Sequence, residues 1–453
     1  MKHHFFYKNR NFYRTVFAIT LPIALQNIIM QGVSVMDTVM LGQLGDLALT
    51  AANLGSQPFQ ILNSICFGLA SGAAVLIAQY WGRRDMLRIR QIFSISLRCV
   101  LAASALLTAA GLLFPEQCLA LFSHDPEVIR AGAGYLRVLS LSFIFYGFSG
   151  CYLMCLRGVE QVRISMVVYA SSFFVNVLFN YCFIFGRLGF PRLGIPGAAL
   201  GTVLARIWET VVVLLYMCRR EKTVGFTPSW LLRGKSGLIG DYFKNSVPIV
   251  SNELLYGLGT AAASLIIGRM SSQFVAAASI ANVVIQLMSV FNWGVSNATA
   301  VLVGKTIGEG RHEDVQPVAH SLLGISFVLG LVSMAVLLAA RGFILSLYDI
   351  SDVARQLTFQ LLTALALLLP VMTTITNLLV GVLRGGGDVR TNFMLDCGLQ
   401  WIVGIPLAAL GAFVWHCSPL VVFLLLRADY PFKIVLGGLR LHSGRWVRTV
   451  TRE

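Results

Sequence analysis

Residues 14–40 read RTVFAITLPIALQNIIMQGVSVMDTVM: an arginine at the start, a proline at position 22, a single aspartate at position 37 and otherwise almost unbroken apolar and small residues. A helix needs roughly 20 predominantly apolar residues to cross about 30 Å of hydrocarbon. This run is long enough, and far longer than the strand of a membrane barrel. Only helices and closed barrels satisfy every backbone group inside lipid, so the run reads as a membrane-spanning helix. Working outward, comparable runs recur at 50–80, 92–113, 131–155, 164–186, 197–218, 243–268, 275–303, 317–340, 356–381, 391–413 and 418–438. The chain as a whole is 57% hydrophobic and 12% charged, about half the charged share of a soluble protein. The expected fold is an all-α membrane protein with twelve transmembrane helices. Residues 1–14 are basic and aromatic, and no small-residue cleavage site follows the first apolar run, so that run reads as a retained span.

The net charge is +15, which by itself suggests a nucleic-acid partner, so the placement of the 35 Lys and Arg decides the matter. With the amino terminus inside, segments 2–14, 83–90, 157–163, 219–244, 305–311, 384–390 and 440–452 face the cytoplasm and hold 24 of them. The opposite loops hold seven, Arg130, Arg137, Arg187, Arg192, Arg269, Arg341 and Arg355. That asymmetry is the signature of membrane topology. It places both termini in the cytoplasm and implies no nucleic acid as partner. Nine cysteines lie mostly within apolar runs, and Cys151 and Cys155 are spaced for neither zinc nor thioredoxin chemistry, so they read as packing residues.

The sequence also repeats. Shifted by 226, Leu21-Pro22-Ile23 falls on Val247-Pro248-Ile249, and Gly42, Ala51, Ala52, Gln60, Gly68 and Gly82 fall on Gly268, Ala277, Ala278, Gln286, Gly294 and Gly308. Shifted by 227, Leu156-Arg157-Gly158 falls on Leu383-Arg384-Gly385. Six spans separate the copies, so both begin on the same side and the halves are parallel. Parallel repeats place a substrate site between them. The expected organisation is a six-helix lobe over 1–218, a basic cytoplasmic linker over 219–244, and a second six-helix lobe with a basic tail over 245–453, the lobes flanking a central cleft.

From Pro22 through Met36-Asp37-Thr38-Val39-Met40-Leu41-Gly42-Gln43-Leu44-Gly45, the first span resembles that of the multidrug and toxic compound extrusion (MATE) family. The same resemblance extends to Leu156-Arg157-Gly158, Asn176-Val177-Leu178-Phe179-Asn180 with Phe185-Gly186, Gly197-Ala198-Ala199, and Leu383-Arg384-Gly385-Gly386-Gly387-Asp388. It covers nearly the whole chain and rests on the order and spacing of these motifs together. It implies a secondary antiporter of a bacterial inner membrane, exporting small amphipathic organic cations against protons or sodium. Composition and topology alone would also fit a lipid-linked oligosaccharide flippase of the same wider superfamily.

Ionisable residues inside spans cost about 2.5–3.5 kcal/mol each on insertion scales and therefore point to function. They are Asp37, Arg206, Glu209, Glu253, Asp396, Arg427, Asp429 and Lys433. Asp37 matches the family's first-span carboxylate. Asn176 and Asn180 match its fifth-span pair, whose second member is Asp in some relatives. Together these three are the expected coupling-ion residues. A carboxylate buried among neutral amides has its charged form disfavoured, which suits it to loading and releasing a proton; the same oxygens suit a sodium ion, the one metal expected here. Glu253 falls on the register of Asn27, and ten residues from Asp37 is about 15 Å along a helix. Glu253 and Asp396 are expected to bind substrate or ion in the second lobe, in partnership. Arg206 with Glu209 and Asp429 with Lys433 are spaced to neutralise one another as structural pairs; Arg427 has no local partner. Asn53, Gln57, Gln60 and Gln286 form polar stripes expected to line the cleft, with Pro58 bending the second span.

No HExxH, Walker loop or GxSxG is present, so neither enzymatic chemistry nor ATP drive is expected, and no cofactor. The expected energy source is a proton or sodium gradient. The expected partners are organic cations and membrane lipids, with the chain acting as a monomer.

Overall fold

The computed structural model describes Tyr7, residues 10–231, 237–348 and 350–452, and contains no strand among the described residues. Lys235 of the linker and most of the basic opening segment lie outside them. The first half runs as α1 (Arg10–Gly42), α2 (Asp46–Gly55), α3 (Gln57–Gly82), α4 (Met86–Leu113), α5 (Pro115–Ala120), α6 (Pro126–Ser140), α7 (Ser142–Gly158), α8 (Arg163–Phe185) and α9 (Ile195–Arg219). The second runs as α10 (Ile239–Gly268), α11 (Ser272–Gly308), α12 (His312–Ser346), α13 (Asp352–Thr376), α14 (Val389–Phe393), α15 (Ile405–Phe413), α16 (Pro419–Leu425) and α17 (Tyr430–His442). Backbone widened to π geometry follows α13 at Asn377–Leu383 and links α14 to α15 at Met394–Gly398 and Gln400–Gly404.

Ten membrane-length apolar helices are present among the described residues, and α6 with α7 makes an eleventh span bent by 49°. The twelfth expected span, 418–438, is broken: α16 and α17 have 7 and 13 residues, and at 1.5 Å rise neither crosses the hydrocarbon alone. Helix ends follow local chemistry. Asp85 and Ser271 cap α4 and α11 by accepting from Arg88 N at 3.0 Å and Phe274 N at 3.2 Å. Gly186, at φ 67°, closes α8 in the left-handed conformation that a Cβ would strain.

Residues 25–250 form one compact unit, and residues 1–24 with 251–453 form the other. The boundaries fall inside α1 and α10, and a glycine in each unit accounts for them. In the first unit Gly68 of α3 lies against Val250, where a Cβ would stand 2.6 Å from the Val250 Cα. In the second, Gly294 of α11, 226 residues on, lies against Thr20 and Ala24, with a Cβ 3.1 Å from the Thr20 carbonyl. Lipid tails are as apolar as leucine, so helices in a bilayer are held by such close approach. Each equivalent glycine thus seats the opening part of the first helix of the other half.

Each unit also carries an aromatic plug supplied by the segment that leaves its last span. In the first, Glu221 accepts from Val224 N and Gly225 N at 2.6 and 2.8 Å, Arg90 Nε donates to the Val224 carbonyl, and Phe226 is buried against Phe93. In the second, Trp446 is fully buried and its Nε1 donates to Gln316 at 3.2 Å. Gln316 is the counterpart of Arg90 at the 226-residue shift.

Candidate functional site

Asn176 and Asn180 lie one turn apart on α8 and are both buried. They face α9 at Gly201, whose missing side chain leaves room for them: a Cβ there would stand only 2.1 Å from Asn180 Oδ1. Asn180 Nδ2 donates to Asp37 Oδ1 at 2.5 Å and to Asn176 Oδ1 at 3.2 Å, so both of its amide hydrogens are engaged. Asn176 Nδ2 donates to Thr202 Oγ1 at 3.5 Å, and Thr202 donates back to the Ala198 carbonyl at 3.2 Å. The three residues singled out from sequence are therefore brought into one hydrogen-bonded set. Asn180 Oδ1 is buried without a hydrogen-bond partner. A carboxylate and an orphaned amide oxygen are the donors that a proton or a small hard cation takes.

The other intramembrane acids are each beside a base. Glu209 holds Arg206 at 2.7 Å, and Asp429 holds Lys433 at 2.8 Å. Lys433 also reaches Asp396 at 3.0 Å, so that ammonium serves two carboxylates. Glu253 and Asp396 each take a base of their own: Glu253 takes Arg384 at 3.0 Å, and Asp396 takes Lys433 together with the Asn252 amide at 3.1 Å. Arg384 and Lys433 bring positive charge into apolar surroundings where a bare carboxylate pair would repel. Asp37 alone among these acids has no basic group within salt-bridge distance among the described residues. Arg427 donates to the Phe423 carbonyl at 2.9 Å and stacks on the Phe423 ring at 3.9 Å.

Asn53, Gln57 and Gln60 are exposed on α2 and α3, as is Gln286 on α11. The helix is interrupted at Ser56, just before Pro58, yet α2 and α3 still read as one 37-residue span.

Two buried arginines escaped the sequence reading, which counted them among loop charges. Arg157, 9% exposed, ends α7 and donates to Gln26 Oε1 at 2.9 Å; Arg384, 2% exposed, donates to Glu253. The two arginines are equivalent at a shift of 227, and their partners Gln26 and Glu253 stand one residue apart in the 226 register of the two opening helices. The repeated Leu-Arg-Gly was the available signal.

The signature of MatE matches residues 22–182 and 248–410, two blocks whose starts differ by the same 226 residues as the internal repeat. The chain belongs to the MATE family. It is similar to the probable multidrug resistance protein YoeA of Bacillus subtilis, 24% identical over 433 residues, covering 92% of this chain and 93% of that one. It is also similar to the probable multidrug resistance protein NorM of Pseudomonas aeruginosa, 26% identical over 391 residues, covering 83% and 78%. Among solved structures, an outward-facing multidrug resistance MATE transporter of the MOP superfamily superimposes with a TM-score of 0.85 at 19% identity, over 97% of this chain and 99% of that one. The MATE fold accounts for the two-lobe, twelve-helix plan. The chain is thus a multi-pass membrane transporter.

Proposed function

We propose that this MATE protein exports small amphipathic organic cations across a bacterial inner membrane by antiport, with both termini in the cytoplasm and the homologous halves 1–218 and 245–453 acting as two lobes of a monomer. The observation that carries the coupling assignment is Asp37. Every other acid within the spans has a lysine or arginine to neutralise it, whereas Asp37 has, among the described residues, the Asn180 amide and no ion-pair partner. An amide donor stabilises a carboxylate without fixing its charge, so the group is left to take a proton or a sodium ion. Capture removes a buried negative charge and changes which packing of the lobe is favoured. A cationic substrate held against the ionised state is then released. The names of the relatives, both multidrug resistance proteins, support drugs or toxic metabolites as the exported class.

Dye efflux from intact cells, with pH and sodium gradients imposed separately, tests the reading. Efflux driven by one gradient and abolished by its collapse is expected. Efflux indifferent to both gradients would contradict antiport.

A further inference from the structure

We propose that Lys433 is a tethered cation that competes with organic monocations for Asp396, yielding by withdrawing to Asp429. The inference rests on the reading of the chain as a cation exporter and adds the residue that sets which charge is accepted.

The ammonium stands 3.0 Å from Asp396 Oδ1 and 2.8 Å from Asp429 Oδ2. The two carboxylates differ in access: the Asp396 side chain is 16% exposed, the Asp429 side chain 3%. Asp429 Oδ1 is buried and has no hydrogen-bond partner. An ammonium carries three donors, so this vacant acceptor offers Lys433 a second contact on Asp429 in place of the one it gives up on Asp396. Withdrawal would leave Lys433 neutralised and Asp396 ionised, with only the neutral Asn252 amide at 3.1 Å. Of the neighbouring charges, Glu253 has Arg384, while Arg427 donates to the Phe423 carbonyl and stacks on its ring.

The surroundings of Asp396 suit an organic cation. Asp396 lies on the π-widened Met394–Gly398 backbone, a distortion that recurs at functional sites. Tyr430 opens α17 three residues before Lys433, and Tyr256, three residues after Glu253 on α10, is exposed. The Tyr430 ring already receives Lys433 Nζ at 5.7 Å from its centroid. Aromatic faces attract cations through the ring quadrupole. A monocation at Asp396 therefore replaces the ammonium charge for charge, whereas an anion would meet an ionised carboxylate.

Equilibrium dialysis of tetraphenylphosphonium against the purified full-length protein reads the competition. Lys433→Gln removes the competitor and is expected to tighten binding about tenfold. Asp429→Asn removes the ammonium's alternative carboxylate, locks it on Asp396 and is expected to weaken binding by a similar factor. Adding Asp396→Asn to Lys433→Gln should cancel the gain, and tetraphenylborate, the anion of the same shape, should show none. A monodisperse Lys433→Gln protein with unchanged or weaker phosphonium affinity would overturn the proposal, as would unchanged affinity in Asp429→Asn. Wild-type protein that bound no phosphonium at all would overturn the export reading along with it.

Discussion

Arg384, almost wholly buried, donates to Glu253 across 3.0 Å, joining the end of the tenth span to the seventh. Its counterpart Arg157 makes the same reach to neutral Gln26. Exchanging the carboxylate for a neutral amide removes the opposite charge at 3.0 Å from this buried guanidinium and weakens the contact that joins the two spans. Glu253→Gln is therefore expected to lower the thermal unfolding temperature of the purified protein as well as its transport. A variant that melted with the parent would show that Arg384 draws its compensation from other groups.

The tail after the last helix is predicted to be part of the second unit's packing. Trp446 is fully enclosed, and a Cβ on Gly386 would stand 2.4 Å from its ring. The Arg448 amide donates to the Gly386 carbonyl at 2.9 Å, and Arg440 and Arg448 both reach buried Asp388. Trp446→Ala should destabilise by about 3 kcal/mol, and Gly386→Ala should also destabilise by displacing the ring. Thermal unfolding in detergent checks both; parental stability in the pair would show the tail to be dispensable.

Much of the fold was legible because lipid imposes a length and a composition on each span. The run 164–186 became α8, Arg163–Phe185, closed by Gly186. What escaped were features set by partners distant in sequence. Leu141 carries no mark of the 49° bend between α6 and α7, and the break between α16 and α17 lies in a run that is apolar enough to pass as one helix. Arg157 and Arg384 were read as loop charges because counting basic residues cannot tell a solvated arginine from one drawn inward by Gln26 or Glu253. At the candidate site the family motif supplied Asp37, Asn176 and Asn180. The pairing of Lys433 with Asp396, 37 residues apart, is not a helical spacing and needed the structure.

The asymmetry of basic residues predicts topology. Cysteine labelling should find Arg84, Lys235 and the carboxyl terminus accessible from the cytoplasm, and His124 and Ser418 from outside. An external Lys235 would rule out two halves of parallel orientation.

The most direct test concerns Asp37. Asp37→Asn fixes the neutral form while keeping an oxygen to accept from Asn180, whose amide donates over 2.5 Å in the parent. The measurement is export of a cationic dye from liposomes by the purified variant under an imposed ion gradient. Loss of gradient-driven export in a folded, correctly inserted protein, with partial retention in Asp37→Glu, is the predicted result. Export at the parental rate by Asp37→Asn would contradict it and pass the coupling role to Glu253 or Asp396.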